Sequence, residues 1–182
     1  MERLKQSLRE APVVDRGEYQ YFVHPVTDCI PAVEPEILAE IVEGIQEVAD
    51  VEAVDRIFTA EAMGIHHATA LSVETGIPFT VARKRSYGFD DEVAVHQETG
   101  YDVGELYVNG LEEGDEVLLV DDVLSTGGTI RALYDALDSI GVEITDAVVV
   151  IRRAADDLEE LPVDVKYLVD LDVVDGEVVI EE

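Results

Sequence analysis

The sequence predicts an α/β fold built on a parallel sheet, and three observations predict it. Val117-Leu118-Leu119-Val120 and Ala147-Val148-Val149-Val150-Ile151 are unbroken apolar runs of strand length, the pattern of strands covered on both faces. Segments of helical spacing separate the strand-like runs, as right-handed βαβ crossovers require. The 117–120 run then passes through two carboxylates, Asp121 and Asp122, and a loop of hydroxyls and glycines, Ser125-Thr126-Gly127-Gly128-Thr129, into a helical pattern. Ligands of open α/β sheets gather at the carboxyl ends of strands, so this loop falls where a site belongs.

From the N-terminus, Leu4, Leu8 and Ala11 give a short amphipathic helix over 1–11, ended by Pro12, with an extended piece at Val13-Val14. Residues 18–23 alternate as a strand closed by His24-Pro25. Pro31 and Pro35 bracket a loop, and Glu34-Pro35-Glu36 opens a helix with acids where the dipole favours them. Ile37, Leu38, Ile41, Val42, Ile45 and Val48 keep its spacing to Ala49. A strand over 54–59, a helix over 62–74 and a strand over 78–82 follow. A long polar segment then runs to about Gly104. Ile130, Leu133, Leu137 and Ile140 mark the helix after the 117–120 strand, with Gly141 as its C-cap. Short strands at 165–171 and 177–180 close the chain, the second after an Asp175-Gly176 turn. No repeat or linker interrupts the pattern, so 1–182 reads as a single domain.

Composition narrows the function classes. The chain has 182 residues, 47% of them hydrophobic, enough for a sizeable core. No apolar run nears the roughly 18 residues that span a bilayer, and Met1-Glu2-Arg3-Leu4-Lys5 opens no secretory h-region. A cytoplasmic protein without a membrane partner is the expectation. The single Cys29 can form no internal disulfide and reads as a small buried hydrophobe. Asp and Glu number 42 against 12 Lys and Arg, a formal net charge of −30. Such self-repulsion is relieved in molar salt, where the Debye length shrinks to about 3 Å, so the chain reads as salt-adapted. The same charge argues against nucleic acid as a partner.

Chemistry concentrates in the 117–129 stretch. Gly127 and Gly128 permit positive φ and close backbone approach, and their N–H groups with those of the next helix make a nest for an anion. A phosphate loop directly after two carboxylates fits a ligand with a phosphate at one end and a diol beside it, the description of a ribose 5-phosphate. No Gly-Lys-Ser/Thr follows, so this is not a triphosphate-hydrolysing loop.

Val117 to Thr129 resemble the ribose-phosphate signature of type I phosphoribosyltransferases, and the resemblance extends over nearly the whole chain, nearest to archaeal purine enzymes of the hypoxanthine/guanine kind. It implies that family's parallel-sheet fold with a small N-terminal hood over about residues 1–35. It implies that Asp121 and Asp122 are catalytic and hold the ribose hydroxyls, while Ser125, Thr126, Gly127, Gly128 and Thr129 bind the 5′-phosphate of phosphoribosyl pyrophosphate (PRPP). Carboxylates there also favour the oxocarbenium-like state through which pyrophosphate leaves.

Three further clusters follow from the resemblance. Glu61, Ala62, Met63 and Gly64 match its pyrophosphate loop. Arg83, Lys84 and Arg85, three of the twelve basic residues placed consecutively, match a second pyrophosphate-binding position. Residues 86–104 match a water-excluding lid, with Tyr87, Gly100 and Tyr101 as its markers. At the end of the 147–151 strand, Arg153 stands where 6-oxopurine enzymes carry a lysine that reads the base oxygen. A cation donates to such an oxygen but cannot accept from the amino group of adenine. Phe22, Val26 and Thr27 are further candidates to line the base pocket. The implied partners are PRPP, a purine base and a second copy of the chain. The implied cofactor is Mg²⁺ carried by the substrate, with no metal site made by protein alone. The resemblance leaves two alternatives: an adenine enzyme, and a non-catalytic PRPP-sensing regulator. His24, His66, His67 and His96 lack metal-site spacing and read as structural or surface histidines.

Overall fold

A computed structural model describes residues 1–16, 19–98, 103–153 and 160–181. Its centre is a six-stranded sheet of β3 (Arg56–Ala60), β4 (Phe79–Ala82), β7 (Glu116–Leu124), β8 (Glu143–Arg153), β9 (Lys166–Val174) and β10 (Glu177–Ile180), in the order β10-β9-β8-β7-β3-β4. All neighbours are parallel except β9 and β10, which are joined by the expected Asp175-Gly176 turn with φ of 52° and 80°. Chain order moves outward from β7 through β8 and β9 on one side and from β3 to β4 on the other. The direction reverses between β3 and β7, and α/β sheets form their ligand crevices at such reversals.

Side-chain alternation divides the core in two. Leu118, Val120, Val148 and Val150 face one layer with Leu4 and Leu8 of α1 (Glu2–Arg9), Ile37, Ile41 and Ile45 of α3 (Pro35–Val48), and Ala68 and Leu71 of α4 (Gly64–Thr75). Val117, Leu119, Ala147 and Val149 face the other, with Ile130, Leu133 and Leu137 of α5 (Gly128–Ile140). Each large side chain so buried contributes about 1.5–3 kcal/mol. No helix among the described residues is long and apolar enough to cross a membrane.

Three expectations change. The polar segment before Gly104 contains a hairpin, β5 (Val93–Glu98) against β6 (Val103–Val108). Its inward residues Val95, Leu106 and Val108 are buried with α5, so most of the expected lid is anchored; Gly100 and Tyr101 lie outside the described residues. Second, β7 does not stop at Val120: Asp121, Val123 and Leu124 pair with Val149, Ile151 and Arg152, which holds the acids on a strand. Third, Cys29 is exposed, because it caps the short helix α2 (Pro25–Asp28) in the left-handed region at φ 54° and faces outward. Within the segment expected to form a hood, β1 (Val13–Arg16) and β2 (Tyr19–Phe22) pair as a separate two-stranded antiparallel sheet.

Candidate functional site

Adjacent strands bring the expected clusters to one edge of the sheet. Reading along the carboxyl ends of β8, β7, β3 and β4 gives Arg153, then Asp121–Thr129, then Glu61–Gly64, then Arg83–Arg85. Gly127 sits at φ 86°, where only glycine is at ease, and turns the chain so that α5 begins at Gly128. Ser125, Thr126, Gly128 and Thr129 are half-buried around it, and the 13-residue α5 aims its N-terminus at this loop.

Asp121 is buried, and its Oδ1 accepts from the Asp122 N–H at 3.0 Å. The two carboxyls also interact with each other electrostatically. Burial pushes both above the usual carboxylate range, and the neighbouring Asp121 charge pushes Asp122 further.

β3 leads into the Glu61–Gly64 turn, whose Glu61–Ala62 peptide bond is cis. The turn lies against the acids: a Cβ built on Gly64 would stand 3.0 Å from Asp121 Oδ1. The Glu61 N–H is taken up by the Ala82 carbonyl at 2.9 Å, and its carboxylate can only accept. Its Oε2 instead lies 3.1 Å from Arg83 Nε and accepts from the Lys84 N–H at 3.0 Å. Lys84 and Arg85 are exposed, and the Arg85 guanidinium lies 5.0 Å over the Tyr87 ring, which stacks on Phe89. Glu92 ties this stretch together, accepting from Ser86, from the Tyr87 N–H at 2.8 Å and from Asn109 Nδ2 at 3.0 Å. The Ser86 hydrogen bond above all holds its carboxyl down to about 2. Tyr87 thus belongs to a tied loop beside the cations.

At the end of β8 the two arginines part. Arg152 is gripped by Asp170, with Nε to Oδ1 at 3.1 Å and a second bond from the guanidinium, and lies 3.9 Å over Tyr167. Arg153, on the opposite face, is buried. The base-pocket candidates Phe22, Val26 and Thr27 are all buried. Phe22 and Val26 are packed into the core, and the buried Thr27 hydroxyl donates to Asp28 at 2.6 Å. Glu92, Asp170 and Tyr167 went unmarked in the sequence, since acids are everywhere in this chain and only pairing across strands singles these out.

No group of three or more metal-ligating side chains occurs among the described residues. Asp121 and Asp122 are the carboxylates of the site that could contribute to holding a hard cation such as Mg²⁺.

The family model described as a phosphoribosyl transferase domain matches residues 34–179. A HGPRTase-like protein of Halorubrum lacusprofundi is 54% identical over 182 residues, covering 99% of this chain and 96% of that protein. A hypoxanthine/guanine phosphoribosyltransferase of Methanobacterium lacus is 52% identical over 183 residues, with the same coverage. Among solved structures, an adenine phosphoribosyltransferase from Thermoanaerobacter pseudethanolicus superposes with a TM-score of 0.76 at 23% identity, covering 93% of this chain and 98% of that one. At that identity the likeness is one of fold.

Proposed function

The chain belongs to the phosphoribosyltransferase family, and within it we propose a purine salvage enzyme that transfers the phosphoribosyl group of PRPP to a 6-oxopurine, hypoxanthine or guanine. The observation that carries this reading is the order of groups along the sheet edge: a cation at β8, acids and phosphate loop at β7, and the loop and cations of β3 and β4. A purine, a ribose 5-phosphate and a pyrophosphate follow one another in the same order. The 52% identity to the hypoxanthine/guanine enzyme of Methanobacterium lacus supports the choice of base, as does the cationic Arg153, which suits an oxygen acceptor.

In this mechanism the bond from the anomeric carbon to a pyrophosphate oxygen breaks, the bond to a purine nitrogen forms, and the N–H proton of the base passes to water or to the departing pyrophosphate. Asp121 and Asp122 hold the ribose hydroxyls and stabilise the positive charge that develops on the ring more than the neutral ground state. The loop from Ser125 to Thr129 anchors the 5′-phosphate, so binding remote from the reacting carbon orients it. Lys84 and Arg85 receive the departing pyrophosphate. Mg²⁺, when bound with the substrate, supplies further neutralisation of that leaving group.

Pyrophosphate release, measured in molar KCl with Mg²⁺, PRPP and each of hypoxanthine, guanine, xanthine and adenine, tests the reading. Turnover with hypoxanthine or guanine is expected. Turnover with adenine alone would overturn the base assignment. Binding of PRPP without turnover on any base would make the protein a sensor of PRPP.

A further inference from the structure

Glu61 is held at both its backbone and its side chain to the chain leaving β4. Its N–H donates to the Ala82 carbonyl at 2.9 Å, and its Oε2 takes the Lys84 N–H at 3.0 Å and faces Arg83 Nε at 3.1 Å. Arg83 is in turn tied to the hairpin base, donating its N–H to the Tyr107 carbonyl at 2.9 Å and accepting from the Tyr107 N–H at 2.7 Å. One side chain therefore joins the Glu61–Gly64 turn, the run of three cations and the foot of the β5–β6 hairpin.

We propose that Glu61 is a positioning residue for the pyrophosphate half of the substrate: by occupying Arg83 it fixes the path on which Lys84 and Arg85 meet the anion. The proposal rests on the reading that PRPP places its pyrophosphate at the ends of β3 and β4. Arg83 is then a strut, its guanidinium turned to a carboxylate, and the two exposed residues that follow carry the contact with the anion.

Electrostatics alone predicts the opposite behaviour. A carboxylate beside an anion site repels the ligand, so its removal should tighten binding if the field were all that mattered. Positioning predicts that removal weakens binding, because Arg83 loses its ion-pair partner and the Lys84 N–H loses its acceptor.

The test compares the wild type, Glu61→Gln, Glu61→Ala, Arg83→Gln and the Glu61→Gln/Arg83→Gln pair by calorimetric binding of Mg²⁺–PRPP and of inosine monophosphate in molar KCl. The nucleotide shares the phosphate loop and base position but brings no pyrophosphate. Expected is a loss of about tenfold in PRPP affinity for Glu61→Ala and about threefold for Glu61→Gln, which keeps an acceptor for Lys84. Nucleotide affinity should hold within about twofold, which also reports an intact fold, and the paired variant should fall short of the summed single effects. PRPP affinity that is unchanged or tighter in Glu61→Ala and Glu61→Gln overturns the proposal, as does a parallel loss of nucleotide binding. A wild type that binds no PRPP overturns the functional reading, and this proposal with it.

Discussion

Gly64 leaves no room for a side chain because of Thr59: a Cβ on Gly64 would come within 1.9 Å of the Thr59 hydroxyl oxygen, and within 3.2 Å of the Val120 carbonyl. Thr59 is fully buried at the end of β3, so it cannot swing into solvent to make space. The turn that opens α4 is thereby pressed against the strand that carries the acids.

Gly64→Ala should therefore be among the costliest small substitutions in the protein. Overpacking of this kind costs about 1–3 kcal/mol, and the displaced turn should weaken PRPP binding as well. Denaturant midpoints and calorimetry on the variant measure the two effects, and an unchanged midpoint would show that the turn has slack.

Asp122→Asn should lower turnover by about a hundredfold or more while stabilising the protein without substrate. The sign follows from the raised carboxyl: relative to the ordinary value of 3.8, the folded protein holds its proton to higher pH than the unfolded chain does. Stability is thus lost as pH rises through the folded value, and an uncharged Asn avoids the loss. Thermal midpoints should favour the variant near pH 7 and converge with wild type toward about pH 4. Unchanged turnover would remove the acid from the mechanism.

His67 and His24 give the opposite slope. Burial lowers His67 to about 3 and His24 to about 4 from an ordinary 6.5. His67 Nε2 lies 3.2 Å from the Val26 carbonyl, and His24 Nδ1 accepts from the Val26 N–H. Below 6.5 the unfolded chain takes up protons that the folded one refuses, so stability falls with pH toward those values, at up to about 1.4 kcal/mol per pH unit for each histidine. His67→Gln should be less stable near neutrality and lose its disadvantage as pH falls. A stability gap that stays constant with pH would mean that His67 acts by packing alone.

The charge of −30 should make thermal stability climb steeply from dilute buffer to molar KCl, where screening acts within about 3 Å. A flat salt response would place the stabilising balance elsewhere.

Much of this was legible in the primary structure. Where burial is two-sided, as at Val117–Val120 and Ala147–Ile151, continuous apolar runs declared the central strands. The loop at Gly127 could be placed because its residue types serve a backbone geometry. The hairpin of β5 and β6 was hidden because it is one-sided: Val95, Leu106 and Val108 alternate with polar neighbours, and the polar half dominated the reading. The ends of β7 and β8 ran longer than expected because parallel pairing carries charged residues such as Asp121 and Arg152 along with apolar ones. Partners across strands, such as Asp170 for Arg152 and Glu61 for Arg83, leave no mark in a chain where every fourth or fifth residue is acidic.

The doubly tied foot of the β5–β6 hairpin, at Arg83 with Tyr107 and Glu92 with Asn109, gives it the mechanics of a lever. Six residues of strand reach about 20 Å from that fulcrum. Along that length Val95, Leu106 and Val108 are buried with Ile130, Leu133 and Leu137 of α5, so the arm is braced as well as hinged. Arg83 stands both at the fulcrum and in the pair with Glu61, so a change in that pair acts where the hairpin is held.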